Sequence, residues 1–152
     1  MPVGDFCRRE PCTATADESI REAAKRMDAR GVGCLVVVDA GGRPVGMLTD
    51  RDLVMRGLRR RRDPDTTTVG EVMHGDVTRV REAAPLEVAI RRMRSDAVRR
   101  IPVVDDAGRL VGILAADDVL QLASSELAGV AEAIRAQVPA NLEGGHALPP
   151  KG

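Results

Sequence analysis

Apolar positions recur along the chain in two alternating rhythms, and the whole pattern occurs twice. Within residues 19–30, Ile20, Ala23, Ala24 and Met27 follow a three-to-four spacing, and Leu86, Ala89, Ile90 and Met93 repeat it within residues 85–96. That spacing predicts two amphipathic helices. The short runs at 34–38 and 101–104 are rich in β-branched residues and end in the turn sequences DAGG and DDAG; each is followed by a second apolar run, PVGMLT or LVGILA. Strand, tight turn and returning strand predict a hairpin in each half. Helical spacing resumes over 50 to about 58 and over 116–127, with acidic residues in the first turn where the helix dipole favours them.

The two halves are copies. A shift of 66 residues aligns 3–54 with 69–120 without a gap, and 15 of the 52 pairs are identical. Average residue usage would make roughly three pairs coincide. The identities include Val3/Val69, Gly4/Gly70, Met27/Met93, Asp39/Asp105, Gly46/Gly112 and Asp52/Asp118. A duplicated β-α-β-β-α unit is therefore expected. Neither copy buries its sheet alone, so the expected fold is α/β (α+β), with two repeats packed sheet to sheet about a pseudo-two-fold axis.

The expected organisation is repeat one at 2–58, a basic linker at 59–67, repeat two at 68–124, a C-terminal helix at 125–138 and a disordered tail at 139–152. Leu127, Val130, Ile134 and Val138 share one face of that last helix, which suits either a cover for the core or a dimer contact.

Composition narrows the function classes. The 152 residues carry 23 basic and 23 acidic side chains, so no global field draws the protein to nucleic acid or anionic lipid. Phe6 is the only aromatic residue, which weakens any base-stacking reading. Neither a signal-peptide apolar stretch nor a membrane-spanning run is present, which makes the cytoplasm the expected compartment. Cys7, Cys12 and Cys34 are too few for a secreted disulfide scaffold. No triad, P-loop or metal motif occurs, and neither His74 nor His146 has a nucleophile or carboxylate neighbour in sequence. A non-enzymatic role is expected. Arg56 and Arg59 to Arg62 form a local basic run; Asp63 and Asp65 follow it at once, which favours a solvated helix end over a nucleic-acid contact.

The repeat resembles a tandem cystathionine-β-synthase (CBS) domain pair, or Bateman module, over about residues 2–123. The resemblance rests on GMLTDRD at 46–52 and RRIPVVDDAGRLVGIL at 99–114, in register behind matching helices and hairpins. It implies a disc with two symmetry-related clefts, pairing into a homodimer, no required cofactor, and an adenine nucleotide or S-adenosyl methionine as ligand. It also implies a regulatory output through an unidentified partner protein or a change of oligomer. Thr49 and Asp52 stand where a strand gives way to a helix, so a hydroxyl, a carboxylate and free N–H groups converge there; a plain N-cap is the simpler reading of the same residues.

Carried over residue by residue, the first cleft would use Thr49 and Asp52 for the sugar and Arg99 and Arg100 for phosphate. Met47, Met73, Val77, Thr78 and Val98 would complete its wall. The second cleft keeps Asp118 but has Ala115 in place of Thr49, and Gly33 and Cys34 in place of the arginines. At most one good nucleotide site per chain is expected. Cys7, Cys12 and Cys34 pair by the repeat with Met73, Thr78 and Arg100. They could thus face the second cleft beside Asp118, as a soft-metal or redox site, or serve as buried hydrophobes. A thiol sensor or a ligand-free scaffold or nucleic-acid adaptor remains the alternative function.

Overall fold

The computed structural model describes residues 1–137. Residues Met1–Asp118 form one compact unit, and the described residues from Val119 onward belong to a second. Repeat one contains β2 (Thr13–Ala14), α1 (Ile20–Arg30), β3 (Cys34–Val38), β4 (Pro44–Thr49) and α2 (Asp50–Asp52), after a short β1 (Arg8–Arg9). Repeat two contains α3 (Val69–Val72), β5 (Val80–Arg81), α4 (Leu86–Ser95), β6 (Arg100–Val104), β7 (Leu110–Ala115) and α5 (Ala116–Gln137). Each copy thus holds the expected β-α-β-β-α order.

Local chemistry sets the boundaries. The Ser19 hydroxyl accepts the Glu22 N–H at 3.2 Å and starts α1, and Gly31 ends it at φ 62°, a conformation that glycine adopts without strain. In both hairpin turns an aspartate folds back on the chain: Asp39 accepts the Arg43 N–H and Asp105 the Arg109 N–H, each at 2.9 Å. Both hairpins carry a register shift at the same place, Val37/Val38 and Val103/Val104.

Leu35, Val37 and Leu48 bury one sheet face against Ile20, Ala23 and Met27 of α1. Their counterparts Ile101, Val103 and Leu114 are buried likewise, as are Leu86, Ala89 and Met93 of α4. On the opposite faces Val36 and Pro102 are also fully buried. Burial on both faces is what strands between two layers require.

The segment that opens each repeat crosses to the other repeat. Val69 and Gly70 donate backbone hydrogen bonds to Glu18 (2.9 Å) and Ala16 (2.8 Å) of repeat one, while Val3 and Gly4 donate to Ala84 (2.8 Å) and Glu82 (2.9 Å) of repeat two. Val69 and Val72 complete the core of repeat one. By the same exchange β1 pairs antiparallel with β7, giving sheets β1-β7-β6-β5 and β2-β3-β4. The backbone bonds that make this exchange leave no periodic signal in the sequence.

Two helices differ from expectation. After Asp52 the chain loosens into a π-helix over Leu53–Leu58, a wider turn often found at functional sites. The separate helix expected at 125–138 is instead continuous with the last helix of repeat two, running Ala116–Gln137. No proline interrupts this stretch, and its Ala, Leu, Glu and Gln residues are good helix formers. None of its residues is buried, and Leu120, Leu127, Val130 and Ile134 are exposed. Val138, the tail at 139–152 and His146 lie outside the described residues.

Candidate functional site

β4 ends in a reciprocal cap. The Thr49 hydroxyl accepts the Asp52 N–H at 3.2 Å, and Oδ2 of Asp52 accepts the Thr49 N–H at 2.9 Å. Two N–H groups that a helix start leaves free are thereby satisfied. The cap fixes the Asp52 carboxylate, only 4% exposed, and its second oxygen, Oδ1, lies 2.8 Å from Nε2 of His74.

His74 is brought there by the exchanged segment, through paired backbone hydrogen bonds between Met47 and His74 at 2.9 Å. Its other nitrogen, Nδ1, lies 3.1 Å from the Arg56 guanidinium, which also donates to the Met73 carbonyl at 3.0 Å. A guanidinium only donates, so Nδ1 accepts and Nε2 carries the proton given to Asp52. Sequence neighbours could not reveal this pair, since 22 positions separate the two residues. Arg56 is therefore part of the site's scaffold rather than a solvated end of the basic run. Arg62 of the same run is held by Glu71 at 3.3 Å.

Beside this cap opens a cleft of about 590 Å³. Met47, Thr49, Val77, Thr78, Val98, Arg99 and Arg100 all line it, together with His74, Gly75 and Asp76, which are not among the expected wall residues. Two expected residues stand back from the wall. Met73 packs against the core of repeat one with its sulfur over Gly46, and Asp52 is not on the wall but is bonded to Thr49 and His74, which are. Arg99 is engaged by Asp117 at 3.0 Å, and Thr78 donates to Asp96. Arg100, which also lines this cleft, takes part in no ion pair among the described residues, so its planar fork is free to pair with an anion.

The second cleft is smaller, about 300 Å³. It contains Asp118, Ala115, Gly33, Cys12 and Cys34, as the repeat offset anticipated. Two expectations fail. The cleft is not stripped of cations, because Arg8 and Arg100 both line it; Arg8 is the counterpart of His74 and stands on the exchanged segment. Cys7 does not reach it: its thiol contacts the Gly4 carbonyl at 3.6 Å and packs over Gly112. Among the described residues no three His, Cys, Asp or Glu side chains are grouped to hold a metal ion. Burial pushes the Cys34 thiol up to about 11, against a partial pull down from Arg100, and burial also raises Cys7. Thiolate, the reactive form, is thus disfavoured at both. Cys34 and Arg100, counterparts in the repeat, line both clefts.

Comparison with known proteins gives this arrangement its setting. A model of the CBS domain matches residues 3–58 and again 69–125. Hypoxic response protein 1 of Mycobacterium tuberculosis is 36% identical over 119 residues, 78% of this chain and 78% of that protein. A crystal structure of Hypoxic Response Protein I with two coordinated zinc ions superposes with a TM-score of 0.72 at 31% identity, covering 80% of this chain and 98% of that one. The CBS domain pair of protein MJ0100, in complex with 5-methylthioadenosine and S-adenosyl-L-methionine, gives 0.72 at 30% identity over 83% and 98% of the two chains. The protein PAE2072 from Pyrobaculum aerophilum, complexed with AMP, gives 0.69 at 27% identity over 82% and 99%. With both halves matched over most of its length, the chain belongs to the CBS domain family, as a tandem pair of CBS domains.

Proposed function

We propose that the chain is a regulatory module that binds one adenosyl ligand in the cleft between Thr49 and Arg100. The observation that carries this reading is the pairing of an uncommitted arginine, Arg100, with the apolar wall Met47, Val77 and Val98 in one cleft. A base suits the apolar wall, a phosphate suits Arg100, and a ribose hydroxyl suits Thr49 and the Asp52 carboxylate behind it. AMP in PAE2072 and the two adenosyl compounds in MJ0100 support that ligand class. The role is binding, not catalysis, and the output passes to a partner protein or to a change of oligomer.

The exposed apolar face of α5, with Leu127, Val130 and Ile134, suits the contact of a homodimer. No described helix is long and apolar enough to cross a membrane, and the proposal places the protein in the cytoplasm.

Thermal shift with AMP, ADP, ATP and S-adenosyl methionine tests the reading. A ligand at 100 times its Kd adds about 2.7 kcal/mol of stability. The shift is expected with at least one of these ligands and is expected to shrink in Arg100→Ala. A chain unmoved by all four is a scaffold instead.

The thiol and metal reading has weaker support. Zinc is present in the Hypoxic Response Protein I structure, but of the three cysteines here only Cys12 and Cys34 line the second cleft.

A further inference from the structure

The duplication provides an internal control for a surface outside both clefts. In repeat one, Arg26 of α1 donates to the Thr13 carbonyl at 2.9 Å and grips Glu18 with both terminal nitrogens, at 2.6 and 3.2 Å. Its counterpart Arg92 on α4 keeps the same backbone anchor, donating to the carbonyl of Arg79, the counterpart of Thr13. The carboxylate is gone, because Ala84 stands where Glu18 does. Arg92 makes no ion pair among the described residues.

Three of the neighbouring positions change in the same direction, while Ala40 becomes Asp106 and Ala16 becomes Glu82. Thr13 and Thr15 become Arg79 and Arg81, and Glu22 becomes Val88. Across positions 13, 15, 18, 22 and 26 and their counterparts the formal charge goes from −1 to +3. The surface encloses a hollow of about 400 Å³, lined by Arg79, Arg81 and Arg92 over an apolar floor that includes Ala84 and Val88. Asp105 and Asp106 also border it, and Asp105 is already held by Arg109 at 3.0 Å. Arg79 is braced from the other repeat by the Pro44 carbonyl at 3.3 Å.

We propose that this hollow binds a small oxyanion, a phosphate group or a phosphorylated metabolite, in the place that the Glu18 carboxylate fills in repeat one. Guanidinium forks suit such an anion because they donate paired hydrogen bonds in a plane. The Ala84 and Val88 floor accepts an apolar portion of the ligand, and the volume falls in the range of small-molecule sites. The site lies on the edge formed by β5 and α4 and is independent of the cleft at Thr49.

The test follows the arginine Nε–H signals by proton–nitrogen NMR while inorganic phosphate is added at constant ionic strength. Saturable shifts are expected at Arg79, Arg81 and Arg92, with Arg26 unmoved. Ala84→Glu restores the carboxylate of repeat one and is expected to weaken phosphate binding roughly tenfold or more, as the loss of a charged hydrogen bond implies. Should that variant fail to fold, Arg81→Ala, at an exposed position, is expected to weaken binding with an unchanged melting temperature. Shifts that rise linearly at all surface arginines, or that survive both substitutions, overturn the proposal. So does a response to duplex DNA or heparin with none to phosphate or pyrophosphate.

Discussion

Oδ1 of Asp52 lies 2.8 Å from Nε2 of His74, while Oδ2 accepts the Thr49 N–H at 2.9 Å, so both oxygens of this buried carboxylate are engaged within the protein. A ribose hydroxyl that reaches Asp52 has to share or displace the imidazole. His74→Ala is therefore expected to tighten AMP binding by up to about tenfold, the worth of roughly one hydrogen bond. Asp52→Ala removes the reciprocal cap as well and is expected to cost about 1–2 kcal/mol of stability. Calorimetric titration and urea denaturation of the two variants separate the roles. If His74→Ala weakens AMP binding instead, the imidazole contacts the ligand directly.

The exchanged segments cross the hairpins at glycines. A Cβ added at Gly46 would lie 2.8 Å from the His74 carbonyl oxygen and against the Met73 sulfur; at Gly112 it would lie 2.9 Å from that of Arg8 and 2.6 Å from the Cys7 sulfur. Backbone cannot give way as a flexible side chain does. Gly46→Ala is expected to destabilise by roughly 1–3 kcal/mol, as other overpacked substitutions do, which is about 4 °C of melting temperature per kcal/mol. Gly75→Ala, where an added Cβ meets nothing within 4 Å, is the control and is expected to leave melting unchanged.

The helices and hairpins were legible because each writes its own period into neighbouring residues, as Ile20, Ala23 and Met27 do for α1. The exchange was not. Val3 and Val69 declare themselves as counterparts, but their partners Ala84 and Glu18 are reached through backbone hydrogen bonds that leave no side-chain signature. His74 was passed over for the same reason, since its carboxylate comes from the cap of another element. The offset located Cys7 correctly as the counterpart of Met73. Both side chains lie over a hairpin glycine rather than on a cleft wall, so positional equivalence did not translate into a place in the site.

Four surface carboxyls should make the fold acid-sensitive. The Thr68 N–H holds Glu71 low, the Thr78 hydroxyl Asp96, the Arg109 N–H Asp105, and the Arg21 guanidinium Asp65. In each case the folded chain releases its proton more readily than the unfolded chain. The stabilisation is thus present above the ordinary carboxyl range and is lost as pH falls through the lowered values. The urea midpoint is expected to hold steady from about pH 7 to 5 and then to fall, given ordinary carboxyl values near 4. Asp105→Asn is expected to flatten that decline, and an equal slope in the variant would remove Asp105 from the explanation.

Cys34 supplies a test at the alkaline end. Burial raises its thiol from 9.0 to about 11, with Arg100 opposing the rise and Asp52 and Asp50 adding to it. Two pH units of displacement leave roughly one hundredth of the thiolate that an ordinary cysteine presents at neutral pH. Iodoacetamide is therefore expected to label Cys34 very slowly at pH 7.5, with a rate that climbs about tenfold per pH unit toward 11. Arg100→Ala withdraws the opposing cation and is expected to slow labelling further at every pH below that. Because the unfolded thiol ionises first, the associated stability is complete below pH 9.0 and is lost as pH rises toward 11. Rapid labelling of Cys34 at pH 7.5, read by peptide mass spectrometry, would reverse this assignment and return the second cleft to a redox role.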